Sequence, residues 1–118
     1  MRNFERISSE TVRRVLKEVV VSMDEIFGSD LKNIILYGSY ARNEHTSESD
    51  IDVMILVGLD EERLKSYEGQ LTDVMVDLSL KYDVVLSLYA HSAEKYKSQV
   101  SVLPFLGNIQ KEGIEVYG

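Results

Sequence analysis

Two short clusters, separated by ten residues, carry the chemistry available to this sequence. Gly38-Ser39 ends the apolar run Ile34-Ile35-Leu36-Tyr37, and Asp50-Ile51-Asp52 opens a second one, Val53-Met54-Ile55-Leu56. Both runs are short and rich in aliphatic and β-branched residues, which reads as two buried strands. Residues i and i+2 of a strand point to one face, so Asp50 and Asp52 stand side by side with Cα atoms roughly 6.5–7 Å apart. Carboxylates this close repel unless a cation lies between them or one takes a proton. Hard oxygen donors of this kind suit Mg²⁺, which binds through a couple of carboxylates together with substrate phosphates. Gly38 has no Cβ to keep a phosphate from the backbone. Ser39 offers a hydroxyl and an N–H, and Tyr40-Ala41-Arg42 could open a short helix whose N-terminus favours an anion. One wall of the crevice would hold metal and the other phosphate.

Taken singly, each cluster has an ordinary explanation: Gly-Ser after a strand is a turn, and Asp-x-Asp is a solvated strand end. Together, each beside a buried strand, they point to a nucleotide site. The loop between them supplies two more candidates. Arg42 can reach a phosphate or pair with Glu44, and Ser49 can hydrogen-bond backbone near Asp50. His45 reads as a solvated loop residue, and Asn43 as a turn residue able to take positive φ.

The pattern Gly38-Ser39, ten residues, Asp50-x-Asp52 resembles the signature of the DNA polymerase β-like nucleotidyltransferase superfamily. The wording Gly-Ser-Tyr-Ala-Arg…Ser-Asp-Ile-Asp is similar to its minimal members, the MNT domains, often the antitoxin half of HEPN–MNT toxin–antitoxin pairs. Asn43 stands where relatives commonly have Gly. The resemblance implies a third carboxylate on the strand beside Asp-x-Asp. Asp83, read as the start of a third strand, is the match by position, with Asp77 as the fallback. It further implies catalysis by Asp50, Asp52 and Asp83 holding two Mg²⁺ ions and nucleotide binding by Gly38, Ser39, Arg42 and Ser49. ATP is the implied donor of AMP, and the implied acceptor is a tyrosine hydroxyl of a partner HEPN toxin. Two rivals stand beside this: a non-catalytic module that neutralises a partner by contact, and a small-molecule nucleotidyltransferase.

Composition narrows the classes. The chain has 118 residues, 44% of them hydrophobic and 28% charged. That fits one globular domain over 1–118 and leaves no room for the extra helical domain of larger family members. Lys and Arg number 13 against 20 Asp and Glu, a net charge of −7. Such a balance argues against nucleic acid as partner and for a basic protein. There is no Cys, which removes disulfides and thiolate metal sites. No apolar run approaches the ~18 residues of a membrane span, and Met1-Arg2-Asn3-Phe4-Glu5 lacks the apolar core of a leader. A cytoplasmic protein is expected, and an oligomer is compatible with the sequence.

The elements that must position the clusters follow from periodicity. Val12, Val15, Leu16, Val19, Val20, Met23 and Phe27 form an apolar stripe at spacings of three and four. With Ser8 or Ser9 as N-cap and Gly28 as stop, the pattern predicts a helix over 8–27. Strands are predicted over 32–37, 50–57 and 82–90. A helix over 60–80 follows the Gly58-Leu59-Asp60 break, with a kink possible at Gly69. Ser92 caps a short helix over 93–99, Pro104 opens a last one near 103–112, and 114–117 reads as an edge strand or tail. The class is α/β (α+β): a small mixed sheet of three to four strands flanked by helices.

Overall fold

A computed structural model describes residues 3–118; Met1 and Arg2, the start of the N-terminal stretch read above, lie outside the described residues. The chain runs α1 (Glu10–Phe27), β1 (Leu31–Tyr37), β2 (Ile51–Val57), α2 (Glu61–Lys65), α3 (Glu68–Tyr82), β3 (Leu86–Ser92), α4 (Ala93–Gln99), α5 (Pro104–Glu112) and β4 (Ile114–Tyr117). The four strands form one mixed sheet in the order β3-β2-β1-β4. β1 pairs antiparallel with both β2 and β4, whereas β2 and β3 run parallel. A parallel pair needs a crossover connection, and α2 and α3 supply it.

α1 forms where the stripe predicts it. Ser9 accepts a bond from Val12 N–H at 3.2 Å, satisfying an orphan donor of the first turn. All seven stripe residues are buried. They pack on one face of the sheet with Ile34 and Leu36 of β1, Ile51, Val53, Ile55 and Val57 of β2, and Leu71 and Leu78 of α3. α1 is tied to α3 by Glu18, which accepts from the Tyr82 hydroxyl and from Lys81 Nζ at 3.0 Å. Those bonds, the Tyr82 one foremost, hold the Glu18 carboxyl below its ordinary range. The opposite face carries a smaller core, in which Ile35, Met54 and Leu56 meet Tyr96 of α4 and Leu106 and Ile109 of α5.

Three expectations are corrected. The helix predicted over 60–80 is two helices, broken at Ser66-Tyr67 and not bent at Gly69. Ser66 Oγ donates to Arg63 O at 2.7 Å, and Tyr67 turns onto Phe27 with ring centroids 4.8 Å apart. Gly69 sits inside α3 with no atom within 4 Å of an added Cβ. The third strand begins at Leu86, not at 82. α3 continues to Tyr82, and Asp83 closes it in the left-handed region at φ 52, its N–H bonded to Ser79 O. Asp tolerates that conformation better than most residues and here takes the place of a C-capping glycine. Ser79 Oγ then accepts from Leu86 N–H at 3.0 Å, which launches β3 three residues beyond the cap. Lastly, Tyr40-Ala41-Arg42 forms hydrogen-bonded turns in place of the short helix expected. Residues 114–117 are a strand.

Candidate active site

The Gly-Ser turn and the Asp pair meet because β1 and β2 are neighbours in register. Tyr37, the last residue of β1, pairs with Asp52, so Gly38 turns directly over the Asp52 side chain. Gly38 is required there twice over. Its φ is +76°, and a Cβ would lie 2.5 Å from Asp52 Oδ2, so any other residue would be strained and would cover the oxygen. Beyond it the backbone closes tightly. Ala41 and Arg42 N–H both donate to Gly38 O, at 3.1 and 3.2 Å, and Glu44 N–H donates to Ser39 O at 2.9 Å. Asn43 takes the positive φ expected of it, 57°.

The rest of the loop is braced by its own side chains. Ser49 Oγ accepts from Thr46 N–H at 2.9 Å while Ser49 N–H donates to Thr46 O at 3.1 Å. Ser49 therefore shapes the approach to Asp50 through its bonds to Thr46. His45 is half-buried and stacks on Tyr40, centroids 4.2 Å apart and rings 15° from parallel, in place of the solvated position expected.

Asp50 is exposed and Asp52 half-buried. Burial pushes the Asp52 carboxyl above its ordinary range, the Asp50 charge adds to the rise, and Arg42 partly offsets it. Arg42 itself reaches Glu44 at 3.4 Å and Glu112 at 3.5 Å. It lies on the wall of a cavity of about 220 Å³, with Tyr37, Gly38, Phe105, Asn108 and Glu112 among the other lining residues. Phe105 meets Tyr37 edge-on, centroids 5.8 Å apart. Burial and then the Asp52 charge hold the Tyr37 hydroxyl above its usual pKa. Tyr37 and Phe105 escaped the sequence reading. A strand-end Tyr next to Gly-Ser was a signal for the first, whereas nothing local marked the second.

Asp83 is the site residue the structure does not bring in. It lies exposed at the end of α3, not on β3, and Asp77 is exposed on α3 itself. The residue of β3 opposite Asp52 in the parallel ladder is Ser87. Partners in adjacent strands lie about 4.8 Å apart with side chains on a common face. The donor set thus consists of Asp52 beneath a bare glycine and the neighbouring Asp50, which fits one hard divalent cation such as Mg²⁺. Among the described residues no group of three or more His, Cys, Asp or Glu is placed to hold a metal ion. Nor is any described helix long and apolar enough to cross a membrane.

Known proteins share both the sequence and the fold. Residues 14–109 match the family model of the nucleotidyltransferase domain. Two proteins of Methanocaldococcus jannaschii named as protein adenylyltransferases are 33% and 32% identical, over 88% and 86% of this chain and 96% and 95% of their own lengths. Among solved structures, a toxin–antitoxin complex with AMP-PNP contains a chain that superposes with a TM-score of 0.57 at 18% identity, covering 86% of this chain and 73% of that one. A complex of tri-AMPylated Shewanella oneidensis HEPN toxin with MNT antitoxin gives 0.54 at 14% identity, covering 91% and 72%. At such identities the structures speak for the fold, a four-stranded mixed sheet with helices on both faces. The family match over most of the length, joined to a Gly-Ser turn closed over paired aspartates, settles membership: this chain belongs to the nucleotidyltransferase domain family.

Proposed function

We propose that this nucleotidyltransferase transfers AMP from ATP to a tyrosine hydroxyl of a partner protein of the HEPN toxin class, and so acts as its antitoxin. The observation that carries the reading is the closure of Gly38 over Asp52, which sets a phosphate-accepting backbone against a cation-binding carboxylate. Gly38 and Ser39 hold the β- and γ-phosphates, Arg42 adds positive charge, and Asp50 and Asp52 hold Mg²⁺. When bound, the cation neutralises the charge that develops on the phosphoryl oxygens during in-line displacement. The tyrosine oxygen, its proton released to solvent, forms its bond to the α-phosphorus as the bond to the leaving pyrophosphate breaks. The chain's own work is placement and electrostatics, with no covalent enzyme intermediate. The cavity shared by Gly38, Arg42 and Phe105 is contiguous with this site and offers the nucleoside an aromatic wall.

Three things support the reading: the relatives' name of protein adenylyltransferase, the AMP-PNP in one structural neighbour, and the AMPylated HEPN toxin in another. Incubation of the protein with labelled ATP, Mg²⁺ and a HEPN partner is the test. Label is expected on the partner, and is expected to vanish with Asp50→Asn plus Asp52→Asn. If that double variant neutralises the partner as fully as the parent does, transfer is dispensable and the non-catalytic antitoxin reading prevails. The lack of a third clustered carboxylate among the described residues favours that second reading.

A further inference from the structure

We propose that the site takes a single divalent ion, delivered with the nucleotide, and that Ser87 is the residue that sets this number. The inference rests on the nucleotidyl-transfer reading above. It starts from the ladder between β2 and β3, where Ile51, Asp52 and Val53 face Leu86, Ser87 and Leu88. Ser87 therefore presents its side chain on the same face as Asp52. A second ion beside the first would need a further anionic donor on that face, and β3 offers a neutral hydroxyl. The neighbouring positions of that face do not replace it. Tyr89 lies two residues on, its hydroxyl 3.4 Å from His91 Nδ1, and His91 Nδ1 in turn lies 3.0 Å from Glu61. Glu61 is thereby engaged at the far end of β3.

Asp83, the nearest acid before β3 in sequence, is held away by its backbone. Its left-handed cap ends α3, and Val84 N–H returns to Ser79 O at 3.1 Å before the strand begins. Two like charges cannot share a small volume without a counter-ion. A serine at this position thus matches a site in which two carboxylates and the nucleotide phosphates surround one ion.

The test counts ions. The full chain is equilibrated with Mn²⁺ and a non-hydrolysable ATP analogue, and the protein-retained Mn²⁺ and nucleotide are measured after dialysis. One Mn²⁺ per nucleotide is expected for the parent and for Asp83→Asn, and two for Ser87→Asp. Two ions per nucleotide in the parent would overturn the inference. So would a count that falls in Asp83→Asn, or one that stays at one in a folded, nucleotide-retaining Ser87→Asp. If Ser87→Asp loses its far-ultraviolet circular dichroism, the parent and Asp83→Asn ratios still decide. A parent that retains neither nucleotide nor Mn²⁺ overturns the transfer reading as well, whereas two ions overturn this inference alone.

Discussion

The two faces of β2 are built for opposite ends from alternate residues of one strand. Ile51, Val53, Ile55 and Val57 point to α1 and α3 and are wholly buried. On the other face Met54 and Leu56 are covered by α4 and α5, but the cover stops short of Asp52. There the half-buried carboxyl lies under Gly38, on a residue whose ladder partners are Tyr37 and Ser87. The first face provides stability, and its close packing lets the second carry a group that burial and a like charge both disfavour. Rigidity on one side of a sheet is what allows electrostatic strain on the other.

Substitutions on the two faces should therefore separate stability from activity. Ile55→Ala opens a cavity in the sealed face and should cost about 2–5 kcal/mol in urea unfolding, while the folded fraction keeps its transfer activity. Asp52→Asn should do the reverse. Transfer is expected to fall about 10²–10³-fold, the scale for losing one preorganised electrostatic contact, with the fold intact. A variant at Asp52 that failed through unfolding would break the comparison.

Gly38→Ala tests the seam between the faces. Its positive φ and the contact of an added Cβ with Asp52 Oδ2 predict a loss of about 1–3 kcal/mol, together with weaker ATP binding in titration calorimetry. Next in size is a pH effect. The folded Asp52 pKa lies above its ordinary value, so the folded state holds its proton more tightly than the unfolded state does. Stability is therefore lost as pH rises from the ordinary value of 3.8 through the folded pKa, and the cost is fully present above it. Without metal, Asp52→Asn should raise the melting temperature at neutral pH, and the gain should disappear below the ordinary Asp value. The smallest effect belongs to Gly69→Ala, remote from both faces in an open helical position. It should stabilise α3 by up to about 1 kcal/mol and leave transfer untouched.

Local pattern was enough for α1, whose seven stripe residues are those the structure buries. It was also enough for β1, β2 and the crevice between the two clusters, because strands consecutive in the chain tend to pair as neighbours and the loop joining these two is short. The third-carboxylate position was not legible in the same way. Asp83 precedes an apolar run and looks like a strand start, yet the left-handed cap on α3 carries it off the sheet, and β3 opens at Leu86. Phe105 likewise reached the site only through the packing of α5 on β1.

The sequence by itself determined the helix, the strand pair and the two clusters joined by their loop, since each depends on periodicity or on residues near in the chain. Which residue of β3 stands beside Asp52 was decided only by tertiary structure. A parallel pairing reached through two helices takes its register from how those helices seat on the core, and that seating placed a serine, not an aspartate, across from the site.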